Sequence, residues 1–219
     1  MKIYFASGNR HKRQEMAALF PQCDLVIPAD EGIEFSPEED GSTFLENSLV
    51  KARALWHIVG QPVLADDSGL CVDILQGVPG IYSSRYAGRN FHQGRNDGTR
   101  PTQEEQNRLL LEETDLAIQS YLSKGLCLPE NPRSCRYVCA MVLYLGPERF
   151  HVAQETMEGS LVPSLEFSRG VGGFGYDPIV ILEGTDKTIA ELTTHEKNRL
   201  SHRGKAARAI RELLPLASR

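Results

Sequence analysis

Three times along the chain a threonine stands three residues ahead of a glutamate: Thr43-Phe44-Leu45-Glu46, Thr102-Gln103-Glu104-Glu105 and Thr193-Thr194-His195-Glu196. In such a box the hydroxyl accepts from the backbone N–H three residues on while the carboxylate reaches back, so each one marks a helix start. The first predicts a helix to about Val59, with Phe44, Leu45, Ala52, Leu55 and Trp56 on its apolar stripe, and the second a helix to about Leu122. Two more helices read from apolar periodicity alone, Arg10 to Phe20 and about Ser201 to Leu214. Short apolar runs fall between them and read as strands: Lys2 to Ala6, Leu25 to Ile27, and two segments on either side of Asp66-Asp67-Ser68-Gly69. Tyr137 to Leu145 and Arg149 to Glu158, joined at Gly146-Pro147, read as a hairpin, and Lys124 to Cys135 as an irregular loop. Hairpins together with helical crossovers predict an α/β fold on a mixed sheet.

The chain of 219 residues, 41% of them hydrophobic and 24% charged, can bury a core without disulfides or a structural metal. Its five cysteines are scattered and match no zinc spacing, so they read as free thiols in a reducing compartment. The net charge of -5 argues against a general nucleic-acid binder, yet a local basic pocket suffices for a small anion. No window is long and apolar enough to cross a bilayer, and the first apolar run is too short for a signal peptide. The expectation is a cytoplasmic protein with neither membrane nor nucleic-acid partner.

Five stretches carry possible chemistry. In "FASGNRHKRQEM" a strand enters Ser7-Gly8-Asn9 and a helix leaves through Arg10, His11, Lys12 and Arg13. Cations oppose the positive end of a helix dipole, so their crowding there makes sense if an anion shares the spot. The alternative is a solvated basic helix start. In "SPEEDGSTFLEN" the acids Glu38, Glu39 and Asp40 suit a helix start electrostatically, and the alternative is a carboxylate ligand for a hard divalent cation. In "LADDSGL", strand neighbours point to opposite faces, so Asp66 and Asp67 could do different jobs; the competing reading is a polar hairpin tip. "GGFGYDP" offers close backbone approach and two aromatic faces, Phe174 and Tyr176, or else is a tight loop with core aromatics. In "EKNRLSHRGK" Ser201 reads as an N-cap, and His202, Arg203 and Lys205 again place cations at a helix start.

In this order the stretches resemble the inosine triphosphate pyrophosphatase family. The match runs through Ser7-Gly8-Asn9 with Lys12, Glu38-Glu39-Asp40-Gly41 with Thr43-Phe44 and Glu46-Asn47, Ala65 to Leu70, Gly77 to Ser83 with Arg85-Tyr86, Gly173 to Pro178, Glu196-Lys197-Asn198 and Ser201-His202-Arg203. Two departures stand out: the segment 89–135 is longer than the family usually has, and Gly172 replaces a common asparagine.

The resemblance implies one domain over residues 1–219, an elongated mixed sheet flanked by helices, and two lobes with a nucleotide-binding cleft between them. Segment 89–135 would be an insertion in the outer lobe. It further implies a homodimer that uses Mg²⁺ to hydrolyse non-standard purine nucleoside triphosphates (ITP, dITP, XTP) to the monophosphate and pyrophosphate. On this resemblance Asp67 activates water, and Glu39 and Asp67 hold the metal. Ser7, Gly8, Asn9, Arg10, His11, Lys12 and Ser68 hold the triphosphate, while Phe174, Gly175, Tyr176, Asp177, Lys197, His202 and Arg203 frame the base. A donor facing the purine 6-position would accept a keto group and meet the adenine amino group as donor against donor, which can discriminate by ~10⁴. The competing expectations are a Maf-type pyrophosphatase of other base preference and a nucleotide sensor without chemistry.

Overall fold

A computed structural model describes residues 1–8, 10–171 and 175–214, except the side chains of Arg10 and His11. Six strands form one mixed sheet in the order β2-β1-β3-β4-β5-β6. They are β1 Lys2–Phe5, β2 Asp24–Val26, β3 Val63–Val72, β4 Ser134–Gly146, β5 Arg149–Leu161 and β6 Val180–Leu182. β1 lies parallel to both β2 and β3, and β6 lies antiparallel to β5. The helices are α1 Arg10–Leu19, α2 Phe44–Val59, α3 Gln103–Ser123, α4 Thr194–Leu200 and α5 His202–Glu212. No described helix is long and apolar enough to cross a membrane.

The three capped starts form, each directly after its threonine. Thr43, Thr102 and Thr193 each accept from the N–H three residues on, at 3.1, 3.2 and 3.2 Å. Only Glu196 completes the box, reaching back to the N–H of Thr193 at 2.8 Å. The Glu46 carboxylate takes the N–H of Ser42 instead, and Glu105 takes Arg95. Ser201 caps α5 as expected, accepting from the N–H of Gly204 at 3.0 Å. Gly204 has no room for a side chain, since a Cβ there would stand 1.9 Å from the carbonyl oxygen of Asn198.

By contact the chain divides into two units, 1–68 with 138–155 and 198–219, and 69–137 with 156–197. In the first unit the strands alternate between two apolar clusters. Ile3, Phe5, Leu64, Cys139, Met141 and Leu143 share one with Met16 and Phe20 of α1 and Ala206, Ala207 and Ile210 of α5. Tyr4, Ala6, Val63, Ala65, Val142 and Tyr144 share the other with Ala52 and Leu55 of α2. Each strand residue thus faces either the α1/α5 side or the α2 side, as a period of two requires.

In the second unit α3 is the main helix, burying Leu110 and Leu111 together with Gln106, Asn107, Glu113 and Thr114. Its polar positions are satisfied: Gln106 donates to the carbonyl of Tyr86 at 3.0 Å, and Glu113 accepts from the Tyr86 hydroxyl and meets His92 Nε2 at 3.0 Å. Segment 89–135 therefore lies wholly in this unit and supplies core to it.

Candidate active site

β3 runs unbroken through Asp66-Asp67-Ser68-Gly69, so this stretch is strand and not the tip of a hairpin. It is an interior strand, between β1 and β4, and its two sides carry different chemistry. Leu64 faces α1 and α5, so Asp66, two residues on, faces them too; Ala65 faces α2, and so does Asp67. Adjacent carboxylates are thereby sent to opposite faces, each to its own set of cations. Gly69 belongs to the second unit, where a Cβ would stand 2.4 Å from both the carbonyl oxygen of Gly80 and the Ser83 hydroxyl. Any side chain there would push that loop away, and Ser83 would lose its bond to the N–H of Leu70, now 2.9 Å.

Asp66 is 2% exposed. Its Oδ2 accepts from Arg203 Nε at 3.1 Å, and Lys12 Nζ stands 3.5 Å from both its oxygens. Arg203 also donates through Nη1 to Glu15 at 2.7 Å and through Nη2 to the Ser68 hydroxyl at 2.9 Å. Burial alone would raise the Asp66 pKa, but Lys12, Arg203 and Lys51 more than reverse this and hold it well below the usual carboxylate range. Lys12 and Arg203, from the starts of α1 and α5, thus meet an anion, and it belongs to the protein. The two meetings differ in grip, since Arg203 is held by three side chains whereas Lys12 sits at the limit of hydrogen-bonding distance.

Asp67 presents a different picture. Its Oδ2 accepts from the Asn47 amide at 3.2 Å and its Oδ1 stands 3.3 Å from Lys51 Nζ. Lys51 also donates to Glu39 Oε2 at 2.9 Å, so one ammonium joins the two acids. Burial raises the Asp67 pKa; Lys51 opposes this, and Glu39 adds to it. Lys51 stays charged, because the acids around it outweigh its own burial. Asn47 ties the acidic loop to the strand, accepting from the N–H of Gly41 at 2.9 Å.

The structure accordingly brings Lys12, Asp66, Ser68 and Arg203 into one network and Glu39 and Asp67 into another. His202, the buried first residue of α5, precedes Arg203. Ser7 and Gly8 follow β1 directly; Asn9 and the side chains of Arg10 and His11 fall outside the described residues. In the second unit Asp177 and Lys197 pair at 2.5 Å, and the Tyr176 hydroxyl donates to the carbonyl of Ser83 at 2.9 Å, while Gly175 takes a φ of 69°. Phe174 is outside the described residues.

Glu15 and Lys51 join these networks although no motif of the sequence singles them out, and Asn47 joins them although its place in the Glu46-Asn47 match carries no role. Asn47 and Lys51 are one helical turn apart and share the buried face of α2 with Ser48, Ala52 and Leu55. Polar residues in step with an apolar stripe are the signal that could have found them. Glu15 carries no comparable mark, because an acid on an amphipathic helix is ordinary.

A model of the Ham1 family matches residues 3–213. A Treponema denticola protein named dITP/XTP pyrophosphatase is 49% identical over 210 residues, covering 96% of this chain and 96% of that protein. One of the same name from Streptomyces coelicolor is 40% identical over 226 residues, covering 97% and 98%. Among solved structures, a HAM1 protein from Coxiella burnetii superposes with a TM-score of 0.80 at 32% identity over 97% of this chain and 98% of that one.

Proposed function

The chain belongs to the Ham1 family, and we propose that it hydrolyses non-standard purine nucleoside triphosphates, dITP and XTP among them, to the monophosphate and pyrophosphate. The observation that carries the chemistry is the pair of acids on opposite faces of β3. One is locked in a buried ion network; the other is 14% exposed, with a raised pKa and a second carboxylate on the same ammonium. A carboxylate with a raised pKa suits a general base, and proton acceptance is the task left to Asp67. The attacking water gives its proton to Asp67 as its oxygen bonds to the α-phosphorus. The bond from that phosphorus to the α,β-bridging oxygen breaks, and pyrophosphate leaves with the electron pair. Lys12 and Lys51 neutralise phosphate charge, and Asn47 fixes the Asp67 oxygen that does not face Lys51.

The residues present fit a divalent cation. Glu39 and Asp67 offer hard oxygen donors that converge on one ammonium, and Asp67 in its charged form is penalised by burial and by Glu39. Mg²⁺ held by these two would supply charge neutralisation on the phosphate oxygens. A homodimer and a cytoplasmic location go with the same reading.

Incubation with dITP, XTP, dATP and dGTP plus Mg²⁺, with products resolved by ion-exchange chromatography, tests the proposal. Monophosphate and pyrophosphate from dITP and XTP in preference to the others are expected; diphosphate and inorganic phosphate would sink it. A second prediction concerns Lys51. Lys51→Met is expected to lower kcat about 100-fold, since it removes a preorganised charge and leaves Glu39 and Asp67 to repel each other. A variant within threefold of the wild type would remove Lys51 from the mechanism.

A further inference from the structure

A chain of three side chains in the second unit ends on Lys197. Tyr137, on β4, donates its hydroxyl to Asp177 Oδ1 at 3.0 Å, and Lys197 Nζ donates to Asp177 Oδ2 at 2.5 Å. Exposure grades along the chain. Tyr137 and Asp177 are buried, with the Asp177 side chain 5% exposed, whereas that of Lys197 is 24% exposed. Both Asp177 oxygens are engaged, one by Tyr137 and one by Lys197, so the more exposed member of the chain, and the one with further N–H groups to offer, is Lys197. Asp177 acts as its anchor.

The anchor is held from two directions. Its backbone opens a short 3-10 turn, Asp177–Ile179, whose preceding residue Tyr176 is pinned to the carbonyl of Ser83. Its side chain is fixed by Tyr137. Burial, and then the nearby Asp177 charge, push the Tyr137 phenol well above its ordinary value, so it remains a protonated donor across the neutral range. A phenylalanine would fill the same space between Cys135 and Cys139 on this apolar strand; what the hydroxyl contributes to the anchor is the bond to Asp177.

We propose that Tyr137 is a positioning residue for base selection, orienting Asp177 so that Lys197 presents an N–H to the 6-keto oxygen of a purine. This rests on the reading of the protein as a hydrolase of 6-keto purine nucleoside triphosphates. An ammonium held in one place rewards a keto acceptor and rejects a 6-amino donor; an ammonium free to swing does neither well.

The test is a double-mutant cycle on selectivity. The ratio of kcat/KM for dITP to that for dATP is measured, by pyrophosphate release, in the wild type, Tyr137→Phe, Lys197→Met and the double variant. Tyr137→Phe is expected to lower the ratio about tenfold and Lys197→Met further, with the double variant within about twofold of Lys197→Met alone. Loss of packing alone would not make the two changes non-additive. An unchanged ratio in Tyr137→Phe, or effects that add in the double variant, overturns the proposal. A wild type that discriminates while Tyr137→Phe does so equally removes only the role of Tyr137. A wild type that releases no pyrophosphate from dITP removes the hydrolysis reading as well. Should Tyr137→Phe melt below the assay temperature, Asp177→Asn loosens the same ammonium and takes its place in the cycle.

Discussion

Asp67→Asn is expected to lower kcat by about 10³-fold while leaving the protein folded and able to bind nucleotide, as loss of a general base commonly does. The amide keeps the size and planarity of the carboxylate, and its one carbonyl oxygen can still accept from Lys51 or from Asn47, though not from both through separate oxygens as the carboxylate does. What disappears is the site that accepts a proton from water, together with one of two charges available to a cation. The pH profile makes the role specific. The Asp67 pKa is raised from its ordinary value, chiefly because the carboxyl is buried; Lys51 opposes this and Glu39 adds to it. A base must be deprotonated to act, so kcat/KM should climb with pH through that raised pKa and level off above it. The wild-type acid limb should accordingly sit above about pH 4, the ordinary position for an aspartate. In Asp67→Asn any residual activity should lack this limb. Stopped assays of pyrophosphate release over pH 4–8 (roughly the range in which carboxylates and histidines titrate), with nucleotide binding followed by calorimetry, provide the check. An Asp67→Asn variant within threefold of wild-type kcat would exclude Asp67 as the base.

The asymmetry between the two acids is legible from β-strand geometry alone, because residues at successive positions must face opposite ways. Which face holds which partners is not. That depends on α1 and α5 packing on one side of β3 and α2 on the other, a matter of tertiary pairing far apart in sequence. Helix starts are legible too, since capping is local, and the observed starts at Phe44, Gln103 and Thr194 follow their threonines directly. The continuity of β3 is not legible. Asp-Ser-Gly has turn chemistry, and it stays extended as part of a strand that lies between β1 and β4, partners far away in sequence. The inference from misplaced cations is right about the need for an anion at the starts of α1 and α5. It cannot tell a substrate phosphate from Asp66 and Glu15, because both satisfy the same electrostatic demand. Resemblance assigns Arg203 to the base and Ser68 to the triphosphate; in the folded chain they bond to each other at 2.9 Å.

Arg203→Met should be among the most destabilising single changes in the first unit, at about 3–5 kcal/mol, the usual cost of removing one partner from a buried ion pair. Its guanidinium spends three nitrogens on Asp66, Glu15 and Ser68, and its side chain is only 13% exposed. Without it Asp66, fully enclosed, is left with Lys12 at 3.5 Å as its ion-pair partner among the described residues. A cluster of this kind also sets an acid limit. The Asp66 pKa is depressed in the folded chain, so its contribution to stability is complete above the unfolded value of about 4 and is lost as pH falls through the folded value. Urea unfolding midpoints for the wild type should therefore hold steady on this account from neutrality to about pH 4 and decline below it. In Arg203→Met the decline should be shallower and be complete at higher pH, because less positive charge holds Asp66 ionised and its folded pKa lies closer to the unfolded value. Adding Asp66→Asn to Arg203→Met should restore part of the loss by removing the uncompensated charge, a coupling that surface ion pairs do not produce. A single-variant cost under about 1 kcal/mol, the range of an exposed pair, or simple additivity in the double variant, would show that the network does not hold the unit together. The consequence for the enzyme is a division of labour within one dipeptide. Asp66 is bound too tightly to take up and release a proton near neutrality, and in the proposed mechanism it fixes the strand from which Asp67, one residue on, would meet the water.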